Sequence, residues 1–196
     1  MAPKKTAAEP ERPAAERLQL VYVDECELHT HPYLAKVWRR KGQAMRIPAA
    51  GEDHKCAVFG AVDYASGRVL YQLSARKGED AFAAFLDHLA HELPAGAPAI
   101  LVLDNVGYHK SHQLRAQWQR MAERFEPFFL PAYSPQLNLI ERLWRYLKDH
   151  LACHRWWNDL AKLQQATETL LDGLAVHFHA ADGPAFRLVH NFCASA

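Results

Sequence analysis

Three acidic residues stand where a carboxylate can do metal chemistry. Asp104 follows five apolar residues, Ala99 to Leu103, and precedes Asn105, so its carboxylate is held at the rim of a buried strand. Asp24 follows the apolar stretch that begins at Leu18 and occupies the same kind of position. Glu141 comes 37 positions after Asp104, in the first turn of a predicted long helix and behind the Pro-rich connector Pro131 to Leu137. Carboxylates drawn from separate elements suit magnesium, which takes hard oxygen ligands and keeps several waters. Two such ions make a phosphoryl-transfer site, one activating the attacking water or 3′-hydroxyl and the other stabilising the leaving oxygen. Each acid also has a plainer reading. Asp104-Asn105 is a candidate turn cap, and Glu141 stands three residues after Asn138, as in a capping box. Convergence of all three is what favours chemistry.

Adjacent strand residues point to opposite faces, so only one of Asp24 and Glu25 can join Asp104 in a regular strand. Asn105 and His109 are secondary candidates, for orienting a metal-bound water or contacting a phosphate. Cys26-x-x-His29-x-His31 and His109-x-x-His112 resemble zinc spacings, but no second short-spaced pair completes a tetrahedron. Arg142, Arg145 and Lys148 recur every three residues along the predicted long helix, opposite Leu143, Trp144 and Leu147. Such a stripe is either a solvated face or a phosphate-backbone contact whose affinity falls with salt. The run Trp38-Arg39-Arg40-Lys41 adds an aromatic to dense positive charge, a combination suited to entering DNA or stacking on a base. Trp156-Trp157 reads as core or interface, and His177 and His179 as surface.

These residues need elements to hold them. The chain has 196 residues, 49% hydrophobic and 23% charged, with 23 Lys+Arg against 22 Asp+Glu. That size and composition predict one domain with a substantial core, residues 17–196, behind a solvated Ala/Pro/Glu/Lys-rich tail, 1–16. No apolar run approaches the ~20 residues of a membrane span, and the N-terminus has no secretory h-region, so a cytoplasmic location is expected. Cys26, Cys56, Cys153 and Cys193 are scattered and expected to be free thiols. Strands are predicted from Leu18 to Asp24-Glu25, at Cys56 to Val62, Arg68 to Ser74, Ala99 to Leu103 and Pro127 to Leu130. The second and third are joined by a turn at Asp63 to Gly67. Helices are predicted from Gly78 to Leu93, closed by Pro94 and Gly96, from His112 to Arg124, from about Leu139 to Leu151, and from about Asp159 to Leu174. This order predicts an α/β, ribonuclease-H-like fold: a mixed five-stranded sheet flanked by helices.

Three segments carry a family resemblance: Val21-Tyr22-Val23-Asp24-Glu25, Leu103-Asp104-Asn105-Val106-Gly107-Tyr108-His109, and the longer Leu130-Pro131-Ala132-Tyr133-Ser134-Pro135-Gln136-Leu137-Asn138-Leu139-Ile140-Glu141-Arg142-Leu143-Trp144. They resemble the signature blocks of DDE transposases, in the bacterial insertion-sequence branch of the Tc/mariner superfamily. Trp38 to Gly42 and Val58 to Asp63 also fit the family pattern, and the resemblance spans about residues 20–155. Leu139 departs from it, standing where the family often has Pro. The resemblance implies metal-binding and catalytic roles for Asp24, Asp104 and Glu141, two Mg2+ or Mn2+ ions, and hydrolysis at transposon ends followed by strand transfer. Transposon and target duplex DNA and a homodimer on DNA are the partners it implies. No helix-turn-helix region of the kind that recognises transposon ends is visible, so end recognition is expected from a separate helix-turn-helix polypeptide or to be lost. The alternatives are a ribonuclease-H-like nuclease without strand transfer and an inactive remnant that binds DNA or protein.

Overall fold

The computed structural model describes residues 19–36, 38, 40–43, 46–94 and 98–176. The predicted tail at 1–16 and the readings on Arg39, Gly96, His177, His179 and Cys193 lie outside the described residues. Five strands form one sheet: β1 (Gln19–His29), β2 (Lys55–Asp63), β3 (Val69–Ser74), β4 (Ala99–Leu103) and β5 (Phe125–Phe129). Their order is β3-β2-β1-β4-β5. β1, β2 and β3 are antiparallel neighbours, whereas β4 and β5 run parallel to β1. With helices α1 (Glu79–Glu92), α2 (His112–Arg120), α3 (Glu141–Leu147) and α4 (Leu160–Val176), this is the mixed ribonuclease-H-like arrangement that the element order predicts.

Alternation along β1 and β2 divides the core between two layers. Val21 and Val23, with Ala57, Phe59 and Ala61, pack against Phe82, Phe85, Leu86 and Leu89 of α1 and Leu114 of α2. Cys26 and Leu28, with Val58 and Val62, pack against Leu143, Trp144 and Leu147 of α3 and Leu163, Leu171 and Leu174 of α4. Apolar burial is worth about 25 cal/mol per Å2 removed from water, and β1 and β2 contribute to both layers. Sandwiching β1 between layers explains its unbroken apolar reading.

Several boundaries differ from the sequence-based expectation. β1 does not end at Asp24-Glu25 but continues to His29, because β2 pairs with it from Val21↔Asp63 to His29↔Lys55. It is β4 that stops, its pairing with β1 ending at Tyr22↔Val102. Asp24 therefore sits mid-strand, at the point where β1 loses its parallel neighbour. β5 starts earlier than expected, at Phe125, and accommodates Pro127 because it is an edge strand. α2 closes at Arg120, where the chain turns at Met121 and the Arg124 guanidinium binds the carbonyls of Ala90, Leu93 and Pro94. The predicted long helix divides into α3 and a wider π turn, Lys148–Ala152.

Candidate active site

The site assembles where β4 ends. The pairing of β4 with β1 ends at Tyr22↔Val102, Asp104 follows directly after β4, and its charge acts on Asp24. Asp24 points into the layer of α3 and is 8% exposed, and across the antiparallel pair it faces Gly60. A Cβ on Gly60 would lie 2.5 Å from the Trp144 ring. Glycine there lets the indole lie against β2, from where Trp144 Nε1 donates to Asp24 Oδ2 at 2.9 Å. Neither partner is apparent from the sequence, although a glycine inside a strand is the usual sign of a close approach.

Glu141 is positioned by the connector before it. Leu130 N donates to the Leu103 carbonyl at 2.8 Å, starting the connector at the end of β4. The buried Asn138 side chain then donates to the Val23 carbonyl at 3.2 Å, and Ile140 enters the α3 layer. Asn138 thus docks the connector on β1 and does not cap α3; the N-cap residue is Ile140, without a side-chain cap bond. Glu141 opens α3, and with Asp24 it lines a cleft of about 920 Å3. Arg145 and Lys148 line the same cleft, so two residues of the basic stripe face the carboxylates, while Arg142 is not among the lining residues.

The neighbouring acid, Glu25, turns to the other layer. Its Oε2 lies 3.8 Å from His109 Nε2, and Lys77 Nζ donates to its carbonyl at 3.2 Å. His109 is fully buried and contacts Asp104 and Glu25. Its imidazole lies in the α1 layer, tilted against the Phe82 ring with centroids 4.4 Å apart. Asn105 is exposed and accepts from Lys110 Nζ. Trp38, Arg40 and Lys41 are exposed on the excursion between β1 and β2. That excursion is closed at its base by Thr30 N donating to the His54 carbonyl and His54 N donating to Thr30 Oγ1, both at 2.8 Å. Trp157 is half-buried and donates to the Leu151 carbonyl at 2.6 Å, with Arg155 over its ring, in keeping with a packing role.

Burial, then the negative charge of Glu25, pushes the Asp24 carboxyl up to about 7. Burial likewise raises Glu25, opposed by Tyr108, His109 and Lys77. A carboxylate raised in this way lacks a compensating cation. The donor set of Asp24, Asp104 and Glu141 is all hard oxygen and suits a divalent cation of the magnesium class. Asp104 Oδ1 is buried without a hydrogen bond, leaving a lone pair for such a cation. In this conformation Asp24 is turned to Trp144 and Asp104 to His109. Among the described residues no three His, Cys, Asp or Glu side chains converge on a single metal position; ligation of one ion by all three needs rotation of their side chains. The Cys26-His29-His31 spacing forms no such group either.

Comparison with known proteins agrees with this picture. A family model described as DDE superfamily endonuclease matches residues 19–164. The insertion element IS630 uncharacterized 39 kDa protein of Shigella sonnei is 29% identical over 153 residues, which are 76% of this chain and 44% of that protein. The uncharacterized protein y4pE/y4sA of Sinorhizobium fredii is 28% identical over 102 residues, 52% of this chain and 72% of that one. The chain thus spans under half the length of the first relative. Among solved structures, the Mos1 mariner paired end complex with Mg matches with a TM-score of 0.66 at 17% identity, over 88% of this chain and 52% of that one. The catalytic domain of Mos1 mariner transposase matches with a TM-score of 0.56 at 16% identity, over 88% and 76%. At these identities the structural likeness establishes the fold.

Proposed function

The chain belongs to the DDE superfamily of endonucleases, and we propose that it is a transposase catalytic domain. In this reading it hydrolyses phosphodiesters at transposon DNA ends and joins the freed 3′-hydroxyl to target DNA. The observation that supports the reading is that Asp24 of β1 and Glu141 at the start of α3 line one cleft, with Asp104 directly after β4, in the order of the family's motif. Asp24 and Asp104 would hold both of two magnesium or manganese ions, and Glu141 would complete the shell of one. Bound there, the ions would activate the attacking oxygen and stabilise the leaving one. The Mos1 structures described with Mg and with Mn support the choice of metal.

The remaining residues act by position and charge. Trp144 fixes one Asp24 oxygen, and the Asn138 anchor fixes where α3 begins. Arg145 and Lys148 place positive charge along the cleft wall beside Glu141, where a DNA backbone would lie, with Arg142 extending the stripe. Trp38, Arg39, Arg40 and Lys41 would meet DNA from the β1–β2 excursion. Function as a homodimer on DNA completes the proposal, and the reaction is assigned to the cytoplasm. No helix among the described residues is long and apolar enough to cross a membrane.

The test is magnesium- or manganese-dependent nicking and joining on a labelled duplex carrying the flanking element end, comparing wild type with Asp104→Ala. Metal-dependent nicked and joined products, lost in the variant, are the expected result. Nicking without joining would reduce the assignment to a nuclease. Equal products from both proteins would remove Asp104 from the chemistry.

A further inference from the structure

A buried polar cluster lies beneath the carboxylates, and the proposed chemistry leaves it unused. His109 is fully buried: Nδ1 pairs with the Asp104 carbonyl at 3.4 Å and lies 3.2 Å from Asp104 Oδ1, and Nε2 is 3.8 Å from Glu25 Oε2. The ring has little freedom. Its centroid is 4.4 Å from that of the tilted Phe82 ring and 4.4 Å from that of Tyr108, which it meets edge-on, and its backbone carbonyl accepts from Trp118 Nε1 at 3.1 Å. Behind Glu25, Lys77 Nζ lies 3.9 Å from Oε1. Chain geometry explains the linkage. Alternation sends Glu25 away from Asp24 and into the α1 layer, where the short 3-10 turn Gly107–Lys110 delivers His109.

Two atoms of this cluster, Asp104 Oδ1 and His109 Nε2, are buried without a hydrogen bond, while the Tyr108 hydroxyl sits against the Glu25 carboxylate. Each such orphan costs roughly 1–3 kcal/mol, and folded proteins carry few of them. A core selected only for stability would replace them with apolar side chains of similar shape. Grouping them directly under one acid of the proposed site points to work done on that acid.

We propose that Glu25 and His109 are positioning residues for Asp104: His109 holds the carboxylate from the core side, and Glu25 fixes His109. The proposal rests on the reading of Asp104 as a metal ligand. It assigns the second acid of the Asp24-Glu25 pair a role one layer removed from the metal, in the manner of the outer partners that orient ligands elsewhere.

The experiment is Mn2+ binding without DNA, read from the electron paramagnetic resonance signal of the free ion. It uses the full chain and its Asp104→Ala, Glu25→Gln, His109→Leu and His109→Asn variants, each checked by thermal melting. Loss of an outer partner weakens metal binding by about 10- to 100-fold. His109→Leu should show a loss in that range and Glu25→Gln a smaller one. Combining the two should add nothing beyond His109→Leu, because Glu25 acts through His109. His109→Asn places an amide donor near the former Nδ1 and should recover part of the affinity, whereas a packing role alone would not be rescued by this smaller polar side chain. Glu25→Gln and His109→Leu binding Mn2+ like wild type, with Asp104→Ala defective, would overturn the inference and leave the metal site standing. Wild type and Asp104→Ala binding alike would overturn the metal site and the inference with it. If His109→Leu does not fold, folded Glu25→Gln with unchanged affinity overturns the proposal and weakened affinity supports it.

Discussion

Replacing Asp24 by Asn should stabilise the protein at neutral and alkaline pH in the absence of divalent metal. Asp24 is buried against Trp144 with its carboxyl raised from 3.8 to about 7, through burial first and the Glu25 charge second. Between those values the folded chain holds a proton that the unfolded chain has released. Its stability therefore declines as pH rises from about 4 and carries the whole penalty above about 7. At 1.36 kcal/mol per pH unit, a carboxyl displaced that far loses about 4 kcal/mol as a ceiling. Glu25 is raised too, and the pair does not ionise independently, so about half of that, ~2 kcal/mol, is the expected effect. For a chain of this size it corresponds to roughly 4–8 °C in Tm. Asn keeps an oxygen for the Trp144 donor and removes the charge. Thermal melts in EDTA at pH 5 and pH 8 should show wild type losing several degrees relative to Asp24→Asn. Millimolar Mn2+ at pH 8 should restore the wild type and leave the variant unchanged. Melting of the two proteins in parallel across that range would refute the reasoning, because it would mean the carboxylate is solvated in the folded state.

Two further outcomes are expected. Gly60→Ala should lower stability by about 1–3 kcal/mol, the usual cost of forcing a methyl group into a filled site, because its Cβ would meet the Trp144 ring at 2.5 Å; an unchanged denaturation midpoint would contradict the close packing. Arg145→Ala with Lys148→Ala should weaken duplex DNA binding at low salt and reduce the salt slope by about 2, since each phosphate contact contributes roughly 0.9; an unchanged slope in a binding titration would take both residues out of the interface.

The parts of the fold readable from sequence are those fixed by local pattern. β4 is legible residue for residue, Ala99–Leu103, because an unbroken apolar run is bounded by Pro98 and Asp104. The β2–β3 pairing follows from the polar turn between its strands. β1 is not fully legible, since its second half is held by pairing with β2 and not by its own composition, which turns acidic at Asp24-Glu25. The π turn after α3 leaves no mark in the apolar spacing. At the site, acids that end or open elements are visible, and alternation correctly separates Asp24 from Glu25. What the sequence hides is contact at long range. Trp144 lies 120 positions from Asp24, and nothing local announces that its indole needs the space above Gly60. The burial of His109 is equally hidden, because it depends on Phe82 and Trp118, which belong to other helices.

The closure at the foot of the β1–β2 excursion also bears on how such a chain can diversify. Thr30, Asp53 and His54 tie the two strands together independently of the residues between them: Asp53 Oδ1 accepts from His31 N at 3.0 Å, and Asp53 Oδ2 lies 2.7 Å from His29 Nδ1. Doubling the length of an unstructured excursion costs only about 0.6 kcal/mol. Segments of different length and composition can therefore be exchanged above this clasp without shifting β1, and so without moving Asp24. The fold thus separates the strand that carries Asp24 from a segment that can change independently of it, and under the proposed function that segment is where DNA contacts could change without disturbing the carboxylates.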